Sequence, residues 1–99
     1  MDFLDYLRNS VVLFDGAMGT EIQQLTIQDS EWGDYPGCNE MLTLGAPDKI
    51  AGIHRAYLEA GANVIETNTF GANRIVLAEY TLEDRTREIN AAAAQLAVQ

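Results

Sequence analysis

The chain has 99 residues, of which 47% are hydrophobic and 21% are charged, and these proportions predict a globular protein of one small domain. Its formal net charge of -9 arises from 15 acidic and 6 basic residues and disfavours nucleic acid and anionic membranes as partners. The single cysteine excludes an intramolecular disulfide. The chain does not begin with a basic signal region or a long apolar stretch. We therefore expect a cytoplasmic protein.

The first predicted element is a strand over residues 11–14, a short apolar run rich in β-branched and aromatic side chains. This run ends in the dipeptide Asp15-Gly16, which signals a turn. A short helix is predicted to follow, with Thr20 as its N-cap residue. The polar and aromatic residues 30–37 are predicted to form a loop.

A helix beginning at Pro47 has the clearest signals in the chain. Proline is favoured at the first helical position, and Gly61 is a suitable residue to end the helix. Between them, apolar residues recur on one helical face at Ile50, Ile53, Tyr57 and Ala60.

A second strand is predicted over residues 64–71 and a third helix over residues 82–98. A helix joining two strands predicts parallel pairing, and therefore an α/β fold. Two parallel strands do not make a self-sufficient sheet, and the last residues continue a helical pattern without a cap signal. We therefore expect residues 1–99 to be an incomplete part of a larger domain.

Polar residues follow both predicted strands and are the candidate site residues. Residues 66–69 are polar throughout, although a parallel strand buried on both faces is expected to be apolar. Asp15 stands at the equivalent end of the first strand, where a carboxylate can bind an ammonium group, and nearby glycines let the backbone approach a ligand. A solvated strand end and an ordinary Asp-Gly turn are the alternative interpretations.

Other chemical signals are weak. Cys38 and His54 are each the only residue of their type, so no zinc-site spacing exists, and a structural or surface role is the simpler interpretation for both. Residues 16–19 follow a strand but lack a dinucleotide fingerprint and a phosphate-loop lysine. Nucleotide binding is therefore not expected.

Five linked segments of the chain form a recognisable set. The first is Leu13-Phe14-Asp15-Gly16-Ala17-Met18-Gly19-Thr20. The others are Gly37-Cys38-Asn39-Glu40-Met41-Leu42, Pro47-Asp48-Lys49-Ile50, His54-Arg55-Ala56-Tyr57-Leu58-Glu59-Ala60-Gly61-Ala62 and Glu66-Thr67-Asn68-Thr69-Phe70-Gly71. Together these segments resemble the homocysteine S-methyltransferase family, in its cobalamin-dependent branch. The resemblance covers nearly the whole chain from residue 11 onward, and the segments occur in the family's order.

The resemblance implies that residues 1–99 are the amino-terminal part of a homocysteine-binding (β/α)8 TIM barrel, with only the first βα units present. It implies a parent enzyme that methylates the homocysteine thiol to give methionine, with zinc holding the thiolate and with cobalamin and folate modules supplying the methyl group. The implied zinc ligands are cysteines of later strands, which this sequence lacks, so we expect the fragment to be inactive. The implied substrate-binding residues are Asp15, Gly16, Ala17, Met18, Thr69 and Phe70.

One hypothesis of a different class remains beside the enzyme fragment. The chain would then be a non-catalytic α/β module that associates with copies of itself or binds an amino acid through the Asp15 turn. A third hypothesis, an unrelated barrel enzyme, holds only if the match of the linked segments to the family is a coincidence. Mass in solution and zinc content distinguish the first two hypotheses.

Overall fold

The computed structural model describes residues 2–98, and the regular elements of these residues are all helices. The α-helices are α1 (Phe3–Asn9), α2 (Gly19–Gln23), α3 (Asp29–Trp32), α4 (Leu42–Gly45), α5 (Pro47–Glu59), α6 (Arg74–Leu77) and α7 (Thr86–Ala97). Short 3-10 helices cover Asn39–Met41, Ala78–Tyr80 and Glu83–Arg85. In residues 2–98, no helix has the length and apolar character that crossing a bilayer requires.

The predicted α/β fold, with the first βα units of a (β/α)8 barrel, is wrong for this structure. Within the described range the two predicted strands form only an isolated parallel bridge between Phe14 and Val64. Its hydrogen bonds run from the Asp15 N–H to the Val64 carbonyl, at 2.9 Å, and from the Asn63 and Val64 N–H groups to the Leu13 carbonyl, at 2.7 and 3.1 Å. Residues 2–98 therefore form a small helical unit with one parallel bridge.

The absence of a sheet has a physical reason. A pair of parallel strands is stable only when further strands extend it and other elements cover both faces. No other part of residues 2–98 lies beside this pair as a strand. The side chains that the sequence predicted to be buried therefore face solvent, and Val11 is 83% exposed.

Helix α5 matches its prediction closely. Pro47 occupies the first turn, and the helix ends at Glu59. Gly61 follows with φ +113°, a backbone conformation that a side chain disfavours. The Gly61 and Ala62 N–H groups donate to the Leu58 and Tyr57 carbonyls, at 3.1 and 3.0 Å, and so satisfy two carbonyls at the end of the helix.

The shorter helices depart from their predictions. Helix α2 begins at Gly19, so Thr20 lies inside the helix and is not its N-cap. Helix α3 occupies part of the predicted loop, where the Gln28 and Glu31 side chains form a reciprocal capping box. The long carboxyl-terminal helix begins at Thr86, four residues later than predicted, after a separate 3-10 turn.

Within residues 2–98, two apolar clusters join the helices from α2 onward. One packs α6 and α7 against the 3-10 helix at residues 39–41 and consists of Cys38, Met41, Ala72, Leu77, Leu82 and Ile89. The other packs α2, α4 and α5 together and consists of Ile22, Leu42, Ala46, Ile50 and Ile53. Adjacent residues Met41 and Leu42 belong to different clusters, so the segment around α4 connects the two halves of the core.

An ion pair ties α3 to α5. The Lys49 ammonium lies 2.7 Å from Glu31 Oε1 and donates to the Thr26 carbonyl at 2.6 Å. The hydrogen bond from Lys49 and the Gln28 backbone N–H lower the pKa of Glu31. This contact anchors the segment before α4 on the first turn of α5.

Candidate functional site

A cavity of about 280 Å³ opens beside the Phe14–Val64 bridge. Three segments meet around it: the turn after residue 14, the 3-10 helix at residues 39–41, and the segment that follows Val64. The lining residues are Asp15, Gly16, Met18, Gly19, Asn39, Glu40, Glu66, Thr67, Asn68 and Phe70. The lining contains three carboxylates and no lysine or arginine, so the cavity favours a ligand with a positively charged group.

Asp15 is held at the cavity by two interactions with the second segment. Its backbone N–H donates to the Val64 carbonyl, and its Oδ2 atom accepts a hydrogen bond from the Glu66 N–H at 2.9 Å. One carboxylate oxygen is thereby fixed, while the partly buried side chain faces the cavity. This arrangement can present a carboxylate to an ammonium group.

The turn after Asp15 rests on helix α5. The Tyr57 hydroxyl donates to the Ala17 carbonyl at 2.8 Å. A Cβ atom at Gly16 would lie 2.9 Å from the Tyr57 hydroxyl oxygen and 3.2 Å from a ring carbon, so the ring occupies the space that any side chain at Gly16 needs. A side chain at Gly16 would therefore require the Tyr57 ring to shift away from the turn.

Asn68 connects the second segment to the 3-10 helix. Its side chain is buried, and its Nδ2 group donates to the Asn39 carbonyl at 2.9 Å and to Thr43 Oγ1 at 3.3 Å. The Thr67 and Thr69 hydroxyls share a hydrogen bond of 2.6 Å within the same segment. The polar residues that interrupt the second predicted strand therefore serve partly to join elements far apart in sequence.

Four of the six predicted substrate-binding residues line the cavity: Asp15, Gly16, Met18 and Phe70. Ala17 and Thr69 are not among the lining residues. The Ala17 carbonyl is directed to Tyr57, and the Thr69 hydroxyl is engaged by Thr67.

Two lining residues, Asn39 and Glu40, were not predicted as site residues. Glu40 also accepts a weak hydrogen bond from the Gly71 N–H, at 3.4 Å. Both residues belong to the segment Gly37-Cys38-Asn39-Glu40-Met41-Leu42, which is one of those that carry the family resemblance. This membership could have indicated them as site residues. Single-sequence patterns do not reveal that this segment lies opposite Asp15.

The described residues do not fit a zinc site. Among residues 2–98, no three side chains of histidine, cysteine, aspartate or glutamate converge where they could hold a metal ion. The cavity carboxylates thus lie around the wall without meeting at one point. Cys38 is buried in an apolar cluster, and this burial raises the pKa of its thiol, which disfavours the thiolate that binds metals.

His54 is a buried histidine on α5, and neither ring nitrogen has a hydrogen-bond partner in the described part of the chain. It borders a cavity of about 170 Å³ between α5 and α7, with Arg55 and Leu96 also in the lining. Burial lowers the pKa of His54, and the negative charge of Asp15 opposes this effect in part. The folded state therefore favours neutral His54.

We expect this histidine to make folding sensitive to pH. The unfolded chain takes up a proton at the ordinary imidazole pKa, whereas the folded chain resists protonation until a lower pH, so stability falls as the pH decreases through that range. Urea unfolding at about pH 8 and about pH 5.5 measures the change. His54→Gln should flatten the dependence, because this is the single histidine of the chain. If the stability of His54→Gln changed with pH as much as that of wild type, His54 would not be the source of the pH dependence.

Comparisons with known proteins identify relatives for almost the whole chain. A family model described as homocysteine S-methyltransferase matches residues 12–99. Over 89 residues, or 90% of the chain, the sequence is 44% identical to a methionine synthase of Mycobacterium tuberculosis and 42% identical to one of Mycobacterium leprae. The matched stretch spans 8% of the first relative and 7% of the second, so the chain corresponds to less than a tenth of either protein.

Proposed function

This chain belongs to the homocysteine S-methyltransferase family, and from that membership we propose that it supplies part of a homocysteine-binding site. The parent enzyme would transfer a methyl group to the homocysteine thiol and so produce methionine. Residues 1–99 would be the amino-terminal part of the homocysteine-binding domain. The observation that carries the proposal is the cavity beside Asp15, where two family segments that are distant in sequence meet.

The cavity suits the two charged groups of an amino acid. Asp15 would bind the ammonium group with the carboxylate oxygen that the Glu66 N–H leaves free. The backbone N–H groups of Ala17 and Met18 would bind the carboxylate, since no acceptor within residues 2–98 pairs with them. Phe70, which is fully exposed at the cavity edge, would form the neighbouring wall together with the adjacent Thr69, although Thr69 itself is outside the cavity lining.

In this proposal, other parts of the parent enzyme activate the homocysteine thiol and supply the methyl donor. The family resemblance implies zinc for the homocysteine thiol and a methyl group carried by cobalamin and replenished from methyltetrahydrofolate. The described residues do not fit a zinc site, so other parts of the parent would hold these groups. We therefore propose that this chain binds homocysteine weakly and does not catalyse methyl transfer alone.

Replacing Asp15 with asparagine tests the ammonium contact. Asparagine keeps an oxygen that accepts from the Glu66 N–H but removes the charge, so homocysteine binding should weaken about tenfold, the usual scale for a charge-assisted hydrogen bond. The measurement is an NMR titration of the ¹⁵N-labelled chain with millimolar homocysteine. Wild-type shifts should concentrate at residues 15–19 and 66–70.

Asp34→Asn is the matched control, because it removes the same charge from an exposed residue that does not line the cavity. It should leave the affinity unchanged. The analogue 4-sulfanylbutanoate, which lacks the amino group, should bind wild type and Asp15→Asn equally. If homocysteine causes no shifts at the cavity of the wild-type chain, the proposed function is wrong.

Self-association as a non-catalytic module is a second candidate, and one observation favours it. Val11, Leu13 and Phe14 next to the parallel bridge are exposed apolar residues, and such residues often mark contact surfaces. A self-associating module predicts a defined oligomer in solution. Light scattering that gives the monomer mass, together with homocysteine binding at the cavity, would exclude this candidate.

A further inference from the structure

Tyr57 contacts the proposed carboxylate subsite from outside the cavity. It projects from α5, is absent from the cavity lining, and donates its hydroxyl hydrogen to the Ala17 carbonyl at 2.8 Å. Partial burial, followed by the negative charges of Glu21 and Asp15, raises the pKa of this hydroxyl. Tyr57 therefore remains a hydrogen-bond donor throughout the neutral pH range.

The contact controls the orientation of one peptide group. A trans peptide is planar, so its carbonyl and its N–H point in opposite directions. With the Ala17 carbonyl directed to Tyr57, the N–H of Met18 points away from α5, and Met18 lines the cavity. The missing side chain at Gly16 allows the turn to lie directly on the tyrosine ring.

We propose that Tyr57 is a positioning residue, whose hydrogen bond to Ala17 orients the Met18 N–H toward the carboxylate of bound homocysteine. This inference rests on the proposed function, because it assigns a role in binding that same amino acid. Tyr57 does not touch the ligand. It acts through the 17–18 peptide, which would otherwise rotate between conformations that present either the carbonyl or the N–H to the cavity.

Tyr57→Phe is the variant that tests this role. Phenylalanine keeps the ring that packs against Gly16 and removes only the hydroxyl. Loss of one hydrogen bond that orders the turn should weaken homocysteine binding about fivefold. Thermal unfolding of the variant establishes that it is folded before binding is compared.

Two analogues separate positioning from general loosening of the fold. The analogue 3-aminopropane-1-thiol lacks the carboxylate, so Tyr57→Phe should bind it as well as wild type does. The analogue 4-sulfanylbutanoate keeps the carboxylate and should lose affinity by the same factor as homocysteine. A merely structural role would weaken all three ligands alike, and that result would overturn the inference.

The matched variant is Tyr6→Phe, which removes a tyrosine hydroxyl from α1, an element outside the cavity lining. It should leave all three affinities unchanged. If Tyr57→Phe binds homocysteine with the same affinity as wild type, the positioning role is overturned and the proposed function stands. No binding to wild type would overturn both, so the two failures are distinguishable.

Discussion

Gly45→Ala should destabilise the fold by about 3 kcal/mol, a large fraction of the stability of so small a protein. A Cβ atom at Gly45, the last residue of α4, would overlap the backbone carbonyl oxygen of Glu31 and lie 3.1 Å from its carbonyl carbon. Backbone cannot move as a flexible side-chain end can, so α3 must shift and its ion pair with Lys49 is disturbed. Urea unfolding followed by circular dichroism measures the loss.

Gly52→Ala is the matched control on the neighbouring helix. Gly52 lies inside α5, and apart from the backbone of this helix itself no atom lies within 4 Å of the position its Cβ would take. Alanine there should raise the free energy of unfolding by about 0.5 to 1 kcal/mol, because it has the higher helix propensity. If Gly45→Ala were as stable as Gly52→Ala, the close approach of α3 and α4 would be contradicted.

Ile89→Ala should cost about 3 kcal/mol, the usual loss when a fully buried aliphatic side chain is truncated and leaves a cavity. Ile89 lies on α7 with 0% exposure and packs in the cluster that includes Leu77 and Leu82. Its removal takes away one of the contacts that join α7 to Leu77 of α6 and to Leu82, which lies between the two helices. The free energy of unfolding from urea titration is again the measurement.

Ile75→Ala is the same substitution on α6, at a side chain that is 86% exposed. Its effect should stay within about 0.5 kcal/mol, as for most surface substitutions. Similar losses in the two variants would mean that α7 does not pack as described. The comparison therefore tests the position of the carboxyl-terminal helix directly.

Helices were predicted better than strands, and the reason lies in the range of the interactions. Helix α5 carries its signals within itself: Pro47 at the start, Gly61 after the end, and apolar residues one turn apart. A strand requires a partner from elsewhere in the chain. The apolar run at residues 11–14 finds a single bridge to Val64, so the residue pattern alone overestimated the sheet.

Part of the candidate site could be predicted for a similar reason. Asp15 and the polar residues after Val64 stand out because their chemistry differs from that of the flanking apolar runs. The hydrogen bond between Asp15 and the Glu66 N–H joins residues 51 positions apart, and Tyr57 reaches Ala17 across 40 positions. Such separations leave no periodic signal in one sequence. Asn39, Glu40 and Tyr57 were therefore missed.

The amino-acid sequence by itself determined the family, the acidic character of the chain and the main helix α5, because linked motifs, charge and helical periodicity are properties of short segments. Tertiary structure alone decided that no sheet forms in residues 2–98 and which side chains surround the cavity. Both outcomes depend on contacts between distant segments. Their free energy depends on packing and on hydrogen bonds that form only when those segments meet.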